Sequence, residues 1–138
     1  GVPLAALGIL FWLLQPAVVA HTGFAPDRYP VEADATVAAL PPSARIFAKF
    51  TVGGYYVYRF GGQRKIWIDG RGDYFGPEPL EQFGQIAKMA PGWEEAIART
   101  GFTHAAIEKN WRLVPALRKA GWTTLFSGTR WVVLQSPR

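Results

Sequence analysis

Cysteine is absent from the 138 residues, which excludes a disulfide scaffold, thiolate chemistry and Cys-ligated zinc. Histidine is nearly absent: His21 and His104 stand far apart in sequence and do not make a multi-histidine metal centre. Charge is also sparse, at 18% of residues against the roughly 25% usual for a soluble domain. It is missing altogether from the first 20 residues, which contain no Asp, Glu, Lys, Arg or His. The chain opens on Gly1 rather than methionine and inside an apolar run, so it is expected to be a piece of a longer protein. Its length suits one domain and not two. No metal ligand set, no cofactor fingerprint and no complete catalytic constellation is present, so catalytic residues, metal and cofactor are all expected to be absent.

What remains is apolar and aromatic: 49% hydrophobic residues, with 9 Phe, 6 Trp and 5 Tyr. From Val2 to Ala20 the one strongly polar side chain is Gln15. At 1.5 Å per residue this run makes roughly 28 Å of helix, about the hydrocarbon thickness of a bilayer. Leu4, Leu7, Ile9, Leu10, Phe11, Leu13 and Leu14 cover every face, unlike a one-sided surface helix. A buried core helix and a signal peptide, with Val18 and Ala20 before the cleavage point, are the alternatives. The preferred expectation is a transmembrane helix over 1–20, the last span of a multi-span protein. Past it, Asp27, Glu32 and Asp34 outnumber Arg28. That acidic flank favours the extracytoplasmic side for the rest of the chain. The net charge of +5 resides in this remaining domain and suits anionic headgroups or an anionic lipid-linked substrate. Membrane lipid is the expected partner. Nucleic acid is not, because there is no basic helix, Arg-rich arm or RNP-type aromatic motif.

Residues 21–30 read as a linker and 31–138 as the folded domain. Val31–Leu40 is predicted helical, opened by Pro30 and stopped by Pro41-Pro42. Alternation predicts a strand over 45–50, and a short buried run predicts a second near 65–69. Further strands are expected near 103–107, 122–126 and 131–135, the last two joined by a hairpin turn. Gly53-Gly54 is expected to break the first, and 54–60 is ambiguous between helix and strand. Helical stripes follow Pro79, Trp93 and Leu113, the last two ended by Gly101 and Gly121. The order strand, helix, strand, helix, strand predicts an α/β class: a Rossmann-like three-layer domain with a mostly parallel five-stranded sheet. Its expected strand order is 2-1-3-4-5, closing on an antiparallel hairpin through Ser127-Gly128-Thr129.

The densest polar cluster is Asp69-Gly70-Arg71-Gly72-Asp73-Tyr74, just past a predicted strand's carboxyl end, where open α/β sheets bind ligands. Asp69, Arg71, Asp73 and Tyr74 are therefore the candidate binding residues for a hydroxyl-rich or phosphorylated group. The structural alternative is that Asp69 caps local amides and pairs with Arg71 while the glycines supply turn angles. Arg71 in the third ligand position excludes a calcium loop. Gly53-Gly54 and Gly61-Gly62 fit neither phosphate-binding glycine motif. Ser43, Ser127 and Ser136 lack a nucleophile elbow. His104 inside a strand and the five tryptophans Trp67, Trp93, Trp111, Trp122 and Trp131 read first as packing residues, with sugar stacking as the alternative for any that are exposed.

The stretch RIFAKFTVGGYYVYRFGGQRKIWIDGRGDYFG, followed by Trp93, the strand with Ala105-Ala106-Ile107 and a final Gly-Trp before a hairpin, resembles a known group. It looks like the C-terminal extracytoplasmic tail of polytopic bacterial membrane proteins related to the GT-C glycosyltransferases. The resemblance implies a Rossmann-like tail and an accessory role in positioning a lipid-linked sugar or its acceptor, without catalysis of its own. A membrane-anchored binding or scaffolding module for a cell-envelope partner is the alternative. The catalytic acid of that superfamily lies in an early loop outside this sequence. The Trp-Trp-Asp-Tyr-Gly acceptor motif of the oligosaccharyltransferase branch has no counterpart in Phe50-Thr51-Val52-Gly53-Gly54.

Overall fold

The computed structural model describes residues 23–67 and 77–137. The expected span over 1–20 lies outside them. Among the described residues no helix is long and apolar enough to cross a membrane. A 3-10 turn, Val31–Ala33, leads into α1, Asp34–Ala39. Leu40 leaves that helix with φ −63° and ψ 150°, the extended geometry forced on a residue before proline, so Pro41 ends α1 as expected. Strand β1, Arg45–Phe47, then gives way to α2, Phe50–Arg59. Gly53-Gly54 therefore lies inside a helix and does not interrupt a strand. Val52, Tyr55 and Tyr56 are buried along one side of it, and this helical spacing settles the aromatic run as a helix. Gly61 and Gly62, at φ 56° and 76°, take the left-handed turn that lets the chain reverse into β2, Lys65–Ile66.

The second half supplies α3 (Pro77–Ala87), α4 (Trp93–Thr100), β3 (His104–Glu108), α5 (Leu113–Lys119), β4 (Thr123–Ser127) and β5 (Trp131–Gln135). Period-two alternation divides the core into two halves. Ile46, Ala106, Trp131 and Val133 pack with Val37 of α1 and with Val52, Tyr55 and Tyr56 of α2. Phe47, Ala105, Ile107, Val132 and Leu134 pack with Ile86 of α3, Ala96 of α4 and Leu113, Val114 and Leu117 of α5. Helices thus cover both faces of the sheet, giving three layers. Phe24 and Tyr29, in the segment read as a linker, pack on α2 with ring centroids 4.8 and 5.3 Å from that of Tyr55.

The sheet order is β2-β1-β3-β5-β4, which corrects the expected 2-1-3-4-5. β1 pairs in parallel with β2 and β3, whereas β5 runs antiparallel to both β3 and β4. The closing hairpin pairs as expected, and its second strand is the one that reverses. The hairpin is inserted the other way round, with β5 inside. Trp131, Val132, Val133 and Leu134 are each at most 2% exposed, so β5 is apolar on both faces and needs a neighbour on each side. β4 (TTLFS) is polar and mostly exposed, the composition of an edge strand.

One carboxylate ties the start of the domain to its end. Glu32, in the 3-10 turn, accepts backbone N–H bonds from Thr129 (2.9 Å), Arg130 (2.9 Å) and Trp131 (2.8 Å) at the β4–β5 turn. Partial desolvation pushes its carboxyl upward. The three amides and the nearby Lys109 charge outweigh this and hold it below its ordinary 4.5.

This arrangement has two testable outcomes. Val133→Asp puts an unpaired charge between two core layers and should cost on the order of 3–5 kcal/mol, whereas Leu125→Asp on the edge strand should stay within about 0.5 kcal/mol. Urea unfolding midpoints compare them, and equal costs would contradict the central placement of β5. Because the folded-state carboxyl of Glu32 is depressed, its contribution is complete above pH 4.5 and is lost as pH falls through the folded value. The stability gap between wild type and Glu32→Gln should therefore be constant near neutrality and close in acid. A gap that widens below pH 4.5 would contradict the clasp.

Candidate functional site

Strand β1 lies between β2 and β3, and the chain passes to one side of it and then to the other. The gap between the carboxyl ends of β1 and β3 is therefore a topological switch point, the place where open α/β sheets take ligands. The residues delivered there are Lys49, past the end of β1, and Glu108-Lys109-Asn110-Trp111, at and past the end of β3. Lys49 is also the N-cap of α2, extended at φ −63° and ψ 155°, so the first turn of a 10-residue helix opens on this edge. The leading N–H groups of a helix have no partner within it and carry the positive end of its dipole.

Two contacts fix the Lys49 ammonium. Its Nζ donates to Glu108 Oε2 at 2.9 Å and lies 5.1 Å from the centroid of the Trp111 ring. Both side chains of the ion pair are about one-third exposed, so the pair holds geometry more than it adds stability. Beneath it is an aromatic floor. The Phe47 ring has Trp111 at 6.1 Å, Phe83 at 5.5 Å and Phe102 at 5.2 Å between centroids. Phe50 meets Phe83 at 4.4 Å. A floor of interlocked rings limits how far the lysine above it can drift.

Beside this pair is an open cavity of about 320 Å³ lined by Glu108, Lys109, Asn110, Thr129 and Arg130. Lys109 Nζ donates to the Gly128 carbonyl at 3.1 Å, and its backbone N–H donates to the Arg130 carbonyl at 2.7 Å. The β4–β5 turn is thereby fixed against the end of β3. The edge gathers three cations, Lys49, Lys109 and Arg130, around the carboxylates Glu108 and Glu32. It can hold an anion between main-chain and side-chain donors, with an aromatic surface for a less polar portion.

Asp69, Arg71, Asp73 and Tyr74 lie in 68–76, outside the described residues; the chain enters that segment from Trp67 and re-emerges at Pro77. His104 is at the opposite end of the sheet, buried, its Nδ1 2.8 Å from Thr103 Oγ1. Desolvation lowers its pKa and keeps the ring neutral, as a packing residue requires. The five tryptophans among the described residues pack into or against the two core halves, and the Trp111 ring also meets the Lys49 ammonium at the carboxyl edge. A cleft of about 440 Å³, walled by Trp93, Ile97, Phe102, Leu117 and Trp122, opens at the amino end of the sheet between α4 and α5. It is larger than the carboxyl-edge cavity but mostly apolar, and it lies away from the switch point. Among the described residues no group of three His, Asp or Glu side chains is placed to hold a metal ion. Sequence reasoning missed Lys49, Glu108 and Lys109. The signal for them was a charged residue close after each of two apolar strands.

A double-mutant cycle on Lys49→Met and Glu108→Gln, read by urea unfolding, should give a coupling of about 0.2–1 kcal/mol. A coupling above about 3 kcal/mol would mean a buried pair and would contradict the open edge.

Comparison with protein-family models, with curated proteins and with solved structures finds no match to this chain.

Proposed function

We propose that this chain is an accessory extracytoplasmic domain of a multi-span, GT-C-like membrane glycosyltransferase. Its carboxyl edge positions the phosphate of a lipid-linked sugar or acceptor, and it carries no catalysis of its own. The observation that carries this reading is the Lys49 ammonium, held by Glu108 over Trp111 at the switch point and beside the opening turn of α2. An ammonium paired with a partly exposed carboxylate can exchange that partner for a phosphate at small cost, because both ends are already wet. The Trp111 ring and the rings below it offer an apolar surface next to the charge, as an amphipathic ligand requires. The uncharged run Val2–Ala20 and the acidic flank after it support a position at the outer face of a bacterial inner membrane. The resemblance of residues 45–76 to the tails of GT-C-related proteins supports the parent class and a Rossmann-like ligand carrier.

The apolar cleft between α4 and α5 supports a second reading, a membrane-anchored scaffolding module that docks a cell-envelope partner at the other end of the sheet.

Titration of the full chain in nanodiscs containing a polyprenyl phosphate separates the two. The expected result is a set of backbone amide shifts around Lys49, Phe50 and Trp111 that weakens with salt and falls several-fold in Lys49→Met. Shifts confined to Trp93 and Trp122, or no response beyond that to nanodiscs lacking the polyprenyl phosphate, would contradict the leading reading.

A further inference from the structure

The Glu32 clasp has the form of a ligand site already holding an anion. Three consecutive main-chain amides, those of Thr129, Arg130 and Trp131, converge on one side-chain carboxylate, two of them on Oε1 and one on Oε2. Successive N–H groups that point into one concavity form a nest, a recurrent main-chain receptor for anions. Gly128 makes room for the occupant. A Cβ on that residue would lie 2.5 and 2.6 Å from the two carboxylate oxygens, so any side chain there would fill the seat. Two cations stand beside it: Lys109 and Arg130 line the adjoining 320 Å³ cavity together with the neutral Asn110 amide, with Glu108 as the acidic group on its wall. The occupant can leave without moving the backbone: Glu32 is exposed, while Pro30 and Ala33 on either side of its turn are buried and anchor the chain.

The geometry points to the β4–β5 turn as a phosphate-binding nest in which the Glu32 carboxylate stands in for the ligand, its exposed side chain swinging out when a phosphate takes its place while Pro30 and Ala33 stay buried. A phosphate offers the three amides more oxygen acceptors and more charge than a carboxylate, and its remaining oxygens face Lys109 and Arg130. The inference rests on the proposed function for the source of the phosphate, a lipid-linked one. The nest itself is indifferent to whether the phosphate is free or lipid-borne. The competition is a population effect: while Glu32 fills the seat, apparent affinity is reduced by the fraction of molecules in which it is empty.

The probe is inorganic pyrophosphate, titrated into the full chain in nanodiscs of neutral lipid and followed by amide chemical shifts. In Glu32→Ala the Thr129, Arg130 and Trp131 amides should respond, with an apparent affinity about tenfold tighter than wild type. In the double variant Glu32→Ala, Gly128→Ala the added methyl fills the emptied seat, and binding should be lost while the spectrum stays dispersed. Equal affinity in wild type and Glu32→Ala, or undiminished binding in the double variant, would overturn the proposal. If Glu32→Ala does not fold, the Glu32 carboxyl carbon resonance of wild type serves instead. It should move on saturation with pyrophosphate, and a fixed resonance at saturation would overturn the displacement of Glu32 and with it the proposal. A second arm replaces pyrophosphate with nanodiscs containing a polyprenyl phosphate. A response to pyrophosphate alone upholds the nest and contradicts the lipid-linked source. A response to polyprenyl phosphate at Lys49 with silent Thr129–Trp131 amides upholds the proposed function and overturns the nest.

Discussion

A strand that is apolar on both faces must be covered above and below and paired on both edges, and β5 imposes that requirement on the rest of this domain. Trp131 and Val133 fill one core half while Val132 and Leu134 fill the other, so the same four residues join the two helix layers. Placing them next to β3 has a consequence at the sheet's end. β5 runs antiparallel to β3, with Trp131 opposite Glu108, so the turn that precedes it arrives at the carboxyl edge. The Arg130 carbonyl then receives the Lys109 amide, and the Thr129–Trp131 amides are presented to Glu32. With β4 inside instead, the start of β5, and with it the Arg130 carbonyl and the Trp131 amide, would stand one strand farther from β3. Core hydrophobicity thus decides where the polar site is assembled.

The carboxyl edge combines two kinds of donor. Lys49 is a side-chain cation, oriented by Glu108 and steadied over Trp111 on a floor of rings centred on Phe47. The turn amides are main-chain donors whose direction is fixed by the hairpin and by the Lys109 contact with Gly128. Main-chain donors carry no side-chain entropy to lose, whereas the lysine gives longer reach and salt sensitivity. Both sets lie on the side of the sheet from which the chain enters residues 68–76, which contain Asp69, Arg71, Asp73 and Tyr74.

Much of the architecture is legible in the chain. Short apolar runs in RIF, HAAIE and WVVLQ mark strands, and Pro41, Gly101 and Gly121 mark ends, because these signals act within a few residues. The aromatic run after Gly53-Gly54 is ambiguous in sequence, since glycine weakens helix and strand alike and Tyr serves either. The expected strand order fails because it treats the hairpin as an appendage to a finished sheet. The polarity of TTLFS beside the apolarity of WVVL is the cue, and it bears on which strand needs two neighbours. The site is less legible. Lys49 with Glu108 and Glu32 with Thr129 are contacts between distant parts of the chain, created by strand order, and no local pattern encodes them.

The joining of the turn amides to the Lys49–Glu108 pair at the carboxyl edge depends on β5 lying between β3 and β4, and cross-strand NOEs across β3 test that most directly. The structure predicts contacts from Ile107 to Val132 and from Ala105 to Leu134, with Thr124 reached from Leu134. Contacts running directly from Ala105 or Ile107 to β4, with none to β5, would contradict it and leave Lys49 and Glu108 without the Thr129–Trp131 donors beside them.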